Sequence, residues 1–108
     1  MKTLILVAAT LLSSSAIAAG DAEKGKALYA TCVACHGTNG KGMDALSAPN
    51  LTGLQEWYFV RQLNNFKAGI RGSNPQDIYG AQMRPMSMTL ADDQAMKDVY
   101  AYIQTLND

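Results

Sequence analysis

The chain has 108 residues, 48% of them apolar and 17% charged, and its nine Lys and Arg residues balance nine Asp and Glu. That balance excludes the strongly basic field of a nucleic-acid binder. The length allows one domain rather than two, and a chain this short buries a thin core, so a covalent or metal staple is expected.

The first segment, MKTLILVAATLLSSSAIAA, sets Lys2 before an apolar run from Leu4 to Leu12 and then small residues ending in Ala16, Ile17 and Ala18. These are the three parts of a secretory signal peptide, so residues 1–18 are expected to be cleaved and residues 19–108 to form the domain. The run is shorter than the roughly 20 apolar residues a membrane helix needs, and no later segment approaches that length. No stable membrane insertion is expected. Loss of Lys2 leaves eight basic residues against nine acidic ones, a formal charge of −1. Export also bears on the cysteines, because an oxidising compartment permits disulfides that the cytosol does not.

Asp21 is placed to cap a helix that begins near Ala22 and runs through AEKGKALYATC. Gly25, Leu28, Tyr29 and Cys32 recur at spacings of three and four, which turns one stripe inward. A glycine in mid-helix costs about 1 kcal/mol against Ala, so Gly25 points to a close crossing by another helix. Residues 37–53 are rich in Gly, Asn, Ser and Pro and read as loop, with one helical turn possible in MDALS. A second helix is expected from Leu54 to Ala68, with Tyr58, Leu63 and Phe66 on its apolar face and Gly69 closing it. Residues 70–89, with two prolines and three methionines, read as a second long loop. The last helix is expected from Ala91 to Leu106, with Met96, Val99, Tyr100, Ile103 and Leu106 facing inward and Asp92 and Asp93 at its positive end. No strand alternation and no internal repeat is visible, so the expectation is all-α: three main helices joined by loops long enough to wrap something.

At the end of the first helix stands TCVACHG, which contains both cysteines and the single histidine of the chain. Cys32-Val33-Ala34-Cys35-His36 is the spelling of c-type haem attachment: each thiol adds to one haem vinyl group and the histidine becomes the proximal iron ligand. Two intervening residues set the sulfurs one helical turn apart, matching the two vinyls. A Cys32–Cys35 disulfide closes too small a loop to restrict the unfolded chain much. A thioredoxin-like site needs a βαβ setting, and structural zinc needs four N or S ligands where this chain offers three. With one histidine, bis-His ligation is impossible, so the sixth position falls to methionine, to a weak ligand or to none. Met96 belongs to a core face and Met43 lies only seven residues after His36, which leaves Met83, Met86 and Met88 in QMRPMSMTL. Any of these is also a plain packing residue in the alternative reading.

GDAEKGKALYATCVACHG, APNLTGL, YFVRQLNNFKAGIR and LADDQAMKDVYAYIQTL together resemble the class I c-type cytochromes, in particular the short bacterial monohaem type similar to the cytochrome c4 and c5 groups. The resemblance covers residues 20–108 and implies the cytochrome c fold around one covalent haem c. It implies Cys32 and Cys35 as thioether links, His36 as proximal ligand, and the carbonyl of Pro49 as acceptor for the His36 ring. It also implies that Gly25 and Tyr29 meet Tyr100 and its neighbours at a helix crossing. The ligand methionine of such cytochromes lies seven residues before the leucine that opens the last helix, which counts back from Leu90 to Met83, with Met86 the runner-up. Ala91 departs from the usual Ser or Thr cap there, with Thr89 or Asp92 as substitutes.

The function implied is a periplasmic one-electron carrier rather than an enzyme. It implies redox protein partners: a donor of the quinol-cytochrome c reductase type, and a terminal oxidase or reductase as acceptor. The carrier is expected as a monomer or weak dimer. Two rivals stand beside it: a haem enzyme or ligand sensor with an open distal site, and an obligate cytochrome subunit of a larger oxidoreductase. Lys41, Lys67, Arg71 and Arg84 fall in the segments expected to border the haem, as steering charges for an acidic partner or as solvated loop charges. Two haem propionates would take the mature charge from −1 toward −3.

Overall fold

The structure, a computed structural model, describes residues 2–9 and 18–106; the expected signal peptide therefore lies partly outside the described residues, at positions 1 and 10–17. Five α-helices follow in order: α1 Ala22–Tyr29, α2 Val33–His36, α3 Glu56–Lys67, α4 Ile78–Ser87 and α5 Asp93–Gln104, with a 3-10 turn over Asp44–Leu46. Among the described residues the only β-type pairing is one isolated antiparallel bridge between Met43 and Ala48. The all-α expectation holds.

Local chemistry explains the helix ends. The Asp21 carboxylate accepts from the backbone N–H groups of Glu23 and Lys24, at 3.0 and 3.3 Å, and so caps α1 as expected. Asp92, not Ala91, caps α5 by accepting from the Ala95 N–H at 2.8 Å. The turn in MDALS forms as the 3-10 element, and Gly69 follows α3 with a φ of 74°.

The expectation of a loop over residues 70–89 is overturned at α4. Asp77 accepts from the Gly80 N–H at 2.9 Å and starts the helix. Pro85 stands inside α4 near its C-terminal end and removes one backbone bond there. Arg84 pins the helix to α3 by donating from Nε to the Phe66 carbonyl at 3.2 Å. A cap and a tertiary anchor thus outweigh the breaker residues that dominate the text, and the fold has more than three main helices.

The core sits where α1 crosses α5. An added Cβ on Gly25 would lie 1.8 Å from the Asp98 carbonyl oxygen, so the two backbones touch there and no larger residue fits. Met96, Val99 and Ile103 of α5 are fully buried against this contact, together with Tyr29, Phe59, Leu63 and Leu90. The aromatic contacts at the crossing are more specific than expected. Tyr29 packs on Tyr102, with ring centroids 5.4 Å apart, while Tyr100 packs on Phe59 at 5.6 Å and donates its hydroxyl to the Leu54 carbonyl. Phe59, Leu63 and Phe66 form the buried stripe of α3; Tyr58 is left on the exposed side of it.

Candidate functional site

After α1 the chain makes one turn, with Cys32 N–H bonded to the Tyr29 carbonyl at 2.8 Å, and re-enters helix as α2. The His36 N–H returns to the Cys32 carbonyl at 2.9 Å, so both cysteines and the histidine ride on one short helical segment. Tyr29 braces it from below: its buried hydroxyl donates to the Gly37 carbonyl at 2.6 Å. Burial, then the neighbouring Cys32 sulfur and Tyr102, push that hydroxyl up to about 12, so it stays protonated and keeps donating.

The imidazole of His36 is buried and its Nδ1 lies 2.9 Å from the carbonyl oxygen of Pro49. A carbonyl can only accept, so Nδ1 carries the proton and Nε2 is left with its lone pair. Gly42 makes this approach possible. It has a φ of 83°, and an added Cβ would fall 2.3 Å from the Ala48 carbonyl oxygen and 2.6 Å from the Pro49 carbonyl carbon. The Gly42 N–H also bonds back to the His36 carbonyl at 2.9 Å, closing the loop against the motif.

Cys32, Cys35, His36 and Pro49 line one cavity of about 400 Å³, and Met83 and Met86 of α4 line it too. Its other walls come from Leu51, Leu54, Phe59, Leu63 and Phe66, so it is mainly apolar and in the size range of cofactor sites. Met83 and Met86 sit three apart on α4 and hence share a helix face. Met83 is half-buried, Met86 more exposed. Met43 and Met88 are exposed and do not border the cavity, and Met96 is in the core. Gln62, Tyr79 and Gln82, which the sequence analysis does not single out, also line it, as does Tyr58, expected there only as a packing residue. Tyr58, Gln62 and Phe66 stand one turn apart on α3, a signal hidden because the reading looked for protein-facing apolar residues only.

The thiol chemistry argues against a redox-active dithiol. Burial raises the Cys32 thiol above its ordinary value, with Cys35 adding to the effect and a bond from Thr31 opposing it. Reactive dithiols have the reverse, a depressed value. Among the described residues no three His, Cys, Asp or Glu side chains gather as a metal cluster. Two thiols and a buried imidazole with a free lone pair beside an apolar cavity fit a covalently held haem, and two thioethers also stand at the cavity wall.

The sequence profile of the cytochrome c family matches residues 22–107. The chain belongs to the cytochrome c family. It carries haem c covalently. It is 36% identical to cytochrome c4 of Stutzerimonas stutzeri over 107 residues, which cover 96% of this chain and 50% of that protein. It is 40% identical to cytochrome c-554(548) of Halomonas halodenitrificans over 85 residues, 78% of this chain and 94% of the relative. A thiosulfate dehydrogenase electron acceptor of Stutzerimonas stutzeri is 40% identical over 74 residues, 67% of this chain and 32% of the relative. The chain thus spans about half the length of the cytochrome c4 relative and nearly all of the c-554(548) one.

Of the four basic residues expected near the haem, two are committed elsewhere. Lys67 donates to the Leu90 carbonyl at 2.6 Å and the Ala91 carbonyl at 3.2 Å, and Arg84 holds α4 to α3. The carbonyls that close α3 and precede α5 need donors, and these side chains supply them. Arg71 alone of the four borders the cavity.

Proposed function

We propose that this cytochrome is a periplasmic monohaem electron carrier, with Cys32 and Cys35 as the thioether links, His36 Nε2 as the proximal iron ligand and Met83 as the distal one. The haem, when bound, supplies a one-electron Fe(III)/Fe(II) couple. Every other contribution belongs to the chain. Pro49 fixes the His36 tautomer and, by accepting the hydrogen bond from Nδ1–H, makes the imidazole a stronger donor to iron. The apolar walls exclude water, and the α4 anchor through Arg84 holds Met83 at the cavity in either oxidation state. A thioether favours the reduced iron and raises the potential.

The observation that carries this reading is the His36 Nδ1 to Pro49 contact at 2.9 Å, which orients an imidazole lone pair at a cavity shared by both cysteines and Met83. For export, residues Leu4 to Val7 are more than 80% exposed, as suits a leader that the folded domain does not use. Among the described residues no helix is long and apolar enough to cross a membrane. A relative named as an electron acceptor of thiosulfate dehydrogenase agrees with a carrier that serves larger redox proteins, here a quinol-cytochrome c reductase-type donor and an oxidase or reductase acceptor.

The test is spectroscopic and kinetic. The purified periplasmic protein is expected to hold one covalent haem, to be low-spin in the ferric state, to titrate as a single reversible one-electron couple and to leave carbon monoxide largely unbound. A high-spin ferric spectrum with rapid ligand or peroxide binding would sink the carrier reading and favour the open-site enzyme. Co-elution with a large enzyme on size exclusion would favour the obligate subunit.

A further inference from the structure

Trp57 is the single tryptophan of the chain and is 58% exposed, yet its ring is held on two sides. The indole N–H donates to Gln55 Oε1, and the Arg61 guanidinium lies over the ring, 5.0 Å from its centroid. Tyr58 meets Trp57 edge to face, with centroids 5.9 Å apart. Successive residues of a helix point about 100° apart, so the pair faces two ways. Tyr58 lines the cavity of Cys32 and His36, while Trp57 and Arg61 line a separate groove between α3 and α5.

The charges of that groove are not equivalent. Its acids, Glu56 and Asp93, open α3 and α5, where the positive helix ends offset them, and Asp93 also accepts from the Asn64 amide at 2.8 Å. Its bases, Arg61 and Lys97, stand beyond those first turns and have no such offset. The groove therefore turns a positive face outward, beside a tryptophan and an arginine, the residue types that carry most binding energy at protein contacts. We propose that Trp57, Arg61 and Lys97 form a docking site for an acidic one-electron redox protein, and that the Tyr58–Trp57 pair links this site to the haem cavity. Carboxylates of the partner pair with Arg61 and Lys97, and an apolar side chain seats on Trp57. One electron passes between the haem, which turns from Fe(II) to Fe(III), and the partner's centre, which is reduced. No proton moves, and both rings stay unoxidised; they narrow the gap on which the rate of transfer steeply depends. The inference rests on the carrier reading and deepens it by naming the chemistry of the partner.

The experiment uses the ferrous holoprotein with plastocyanin, an acidic one-electron copper protein, as the probe. Stopped-flow rates at low ionic strength are compared for wild type, Trp57→Ala, Arg61→Gln and Lys26→Gln, with covalent haem and potential measured in each so that driving force is accounted for. Lys26 is the control, because it makes the same charge change on α1, away from the groove. Trp57→Ala and Arg61→Gln are each expected to slow the reaction severalfold, and Lys26→Gln to leave it near wild type. Added salt is expected to erase the Arg61→Gln deficit but not that of Trp57→Ala. Should a groove variant fail to accumulate, nitrogen-15 NMR of the ferrous wild type reads the same contact, since its single indole N–H signal is expected to shift when reduced plastocyanin is added. Equal rates in wild type and both groove variants, equal slowing by Arg61→Gln and Lys26→Gln, or an indole signal that does not move would overturn the docking site. So would a wild type that ferricyanide oxidises and plastocyanin does not. A holoprotein that neither reagent oxidises would overturn the carrier reading itself, which separates the two failures.

Discussion

The α1–α5 crossing and the α3–α4 side of this cytochrome are built on opposite terms. At the crossing, backbone meets backbone at Gly25 and the α5 residues Met96, Val99 and Ile103 are wholly buried by protein. On the α3–α4 side Phe59, Leu63 and Phe66 turn toward a cavity, and Tyr58, Tyr79 and Met86 at its border remain exposed. One half of the domain closes on itself. The other is shaped for a group the chain does not contain, and a short chain with a thin core gains its missing apolar contacts from that group.

The largest expected effect breaks the crossing. Gly25→Val would drive side-chain carbon into the Asp98 and Val99 backbone, and overpacking against backbone that cannot yield is expected to cost about 3 kcal/mol or more. Thermal unfolding of the holoprotein reads it, and a loss under about 1 kcal/mol would show that the helices slide apart freely.

A smaller effect tests the cavity side. Gly42→Ala meets both a positive φ and the Ala48 carbonyl, and is expected to cost about 2 kcal/mol while moving Pro49 off His36. With the Nδ1 bond weakened the imidazole is a poorer donor, so the potential is expected to rise. Voltammetry checks the sign, and a fall in potential would contradict the role given to Pro49.

Asp98 gives a pH test on the crossing. Burial raises its carboxyl, but the Asp21 N–H at 2.8 Å, the Gln94 amide at 3.0 Å and the charge of Lys24 outweigh burial and leave it below the ordinary value. A depressed carboxyl contributes stability that is present above the unfolded value and is lost as pH falls through the folded one. Asp98→Asn is therefore expected to lose about 1 kcal/mol near neutrality and to depend less on pH under acid conditions, as measured by denaturant unfolding across pH. A steeper acid loss than wild type would refute the assignment.

The smallest effect lies where the two halves join. Tyr29→Phe removes the bond to the Gly37 carbonyl and is expected to cost about 1 kcal/mol. Because the hydroxyl is raised from 10.0 to about 12 in the fold, its contribution is complete below pH 10 and disappears as pH climbs toward 12. The variant should accordingly show a shallower alkaline decline in stability than wild type.

The self-contained half was the more legible in the sequence, for a physical reason. Asp21, Gly25 and the Met96, Val99 and Ile103 stripe are set by capping, close approach and helical period, all of which the text displays. The Cys-x-x-Cys-His motif was legible as chemistry, and Pro49 and Met83 followed from resemblance; the structure brings both to the cavity. The cavity half was harder to read because its inward face addresses a cofactor. Tyr58 was placed in the protein core where Phe59 belongs, and Gln62 drew no notice. Helix α4 was hidden by Pro75, Pro85 and Gly80, since the forces that form it, the Asp77 cap and the Arg84 bond to α3, lie in contacts that spacing does not display.

We propose Met83 of α4 as the second protein ligand that the haem iron would take beside His36. The direct measurement is the far-red absorption feature of iron–methionine ligation in ferric Met83→Leu and Met86→Leu holoproteins. Met83→Leu is expected to lose the feature and drop in potential while Met86→Leu keeps it. Survival of the feature in Met83→Leu, or its absence from the wild type, would rule Met83 out as a ligand.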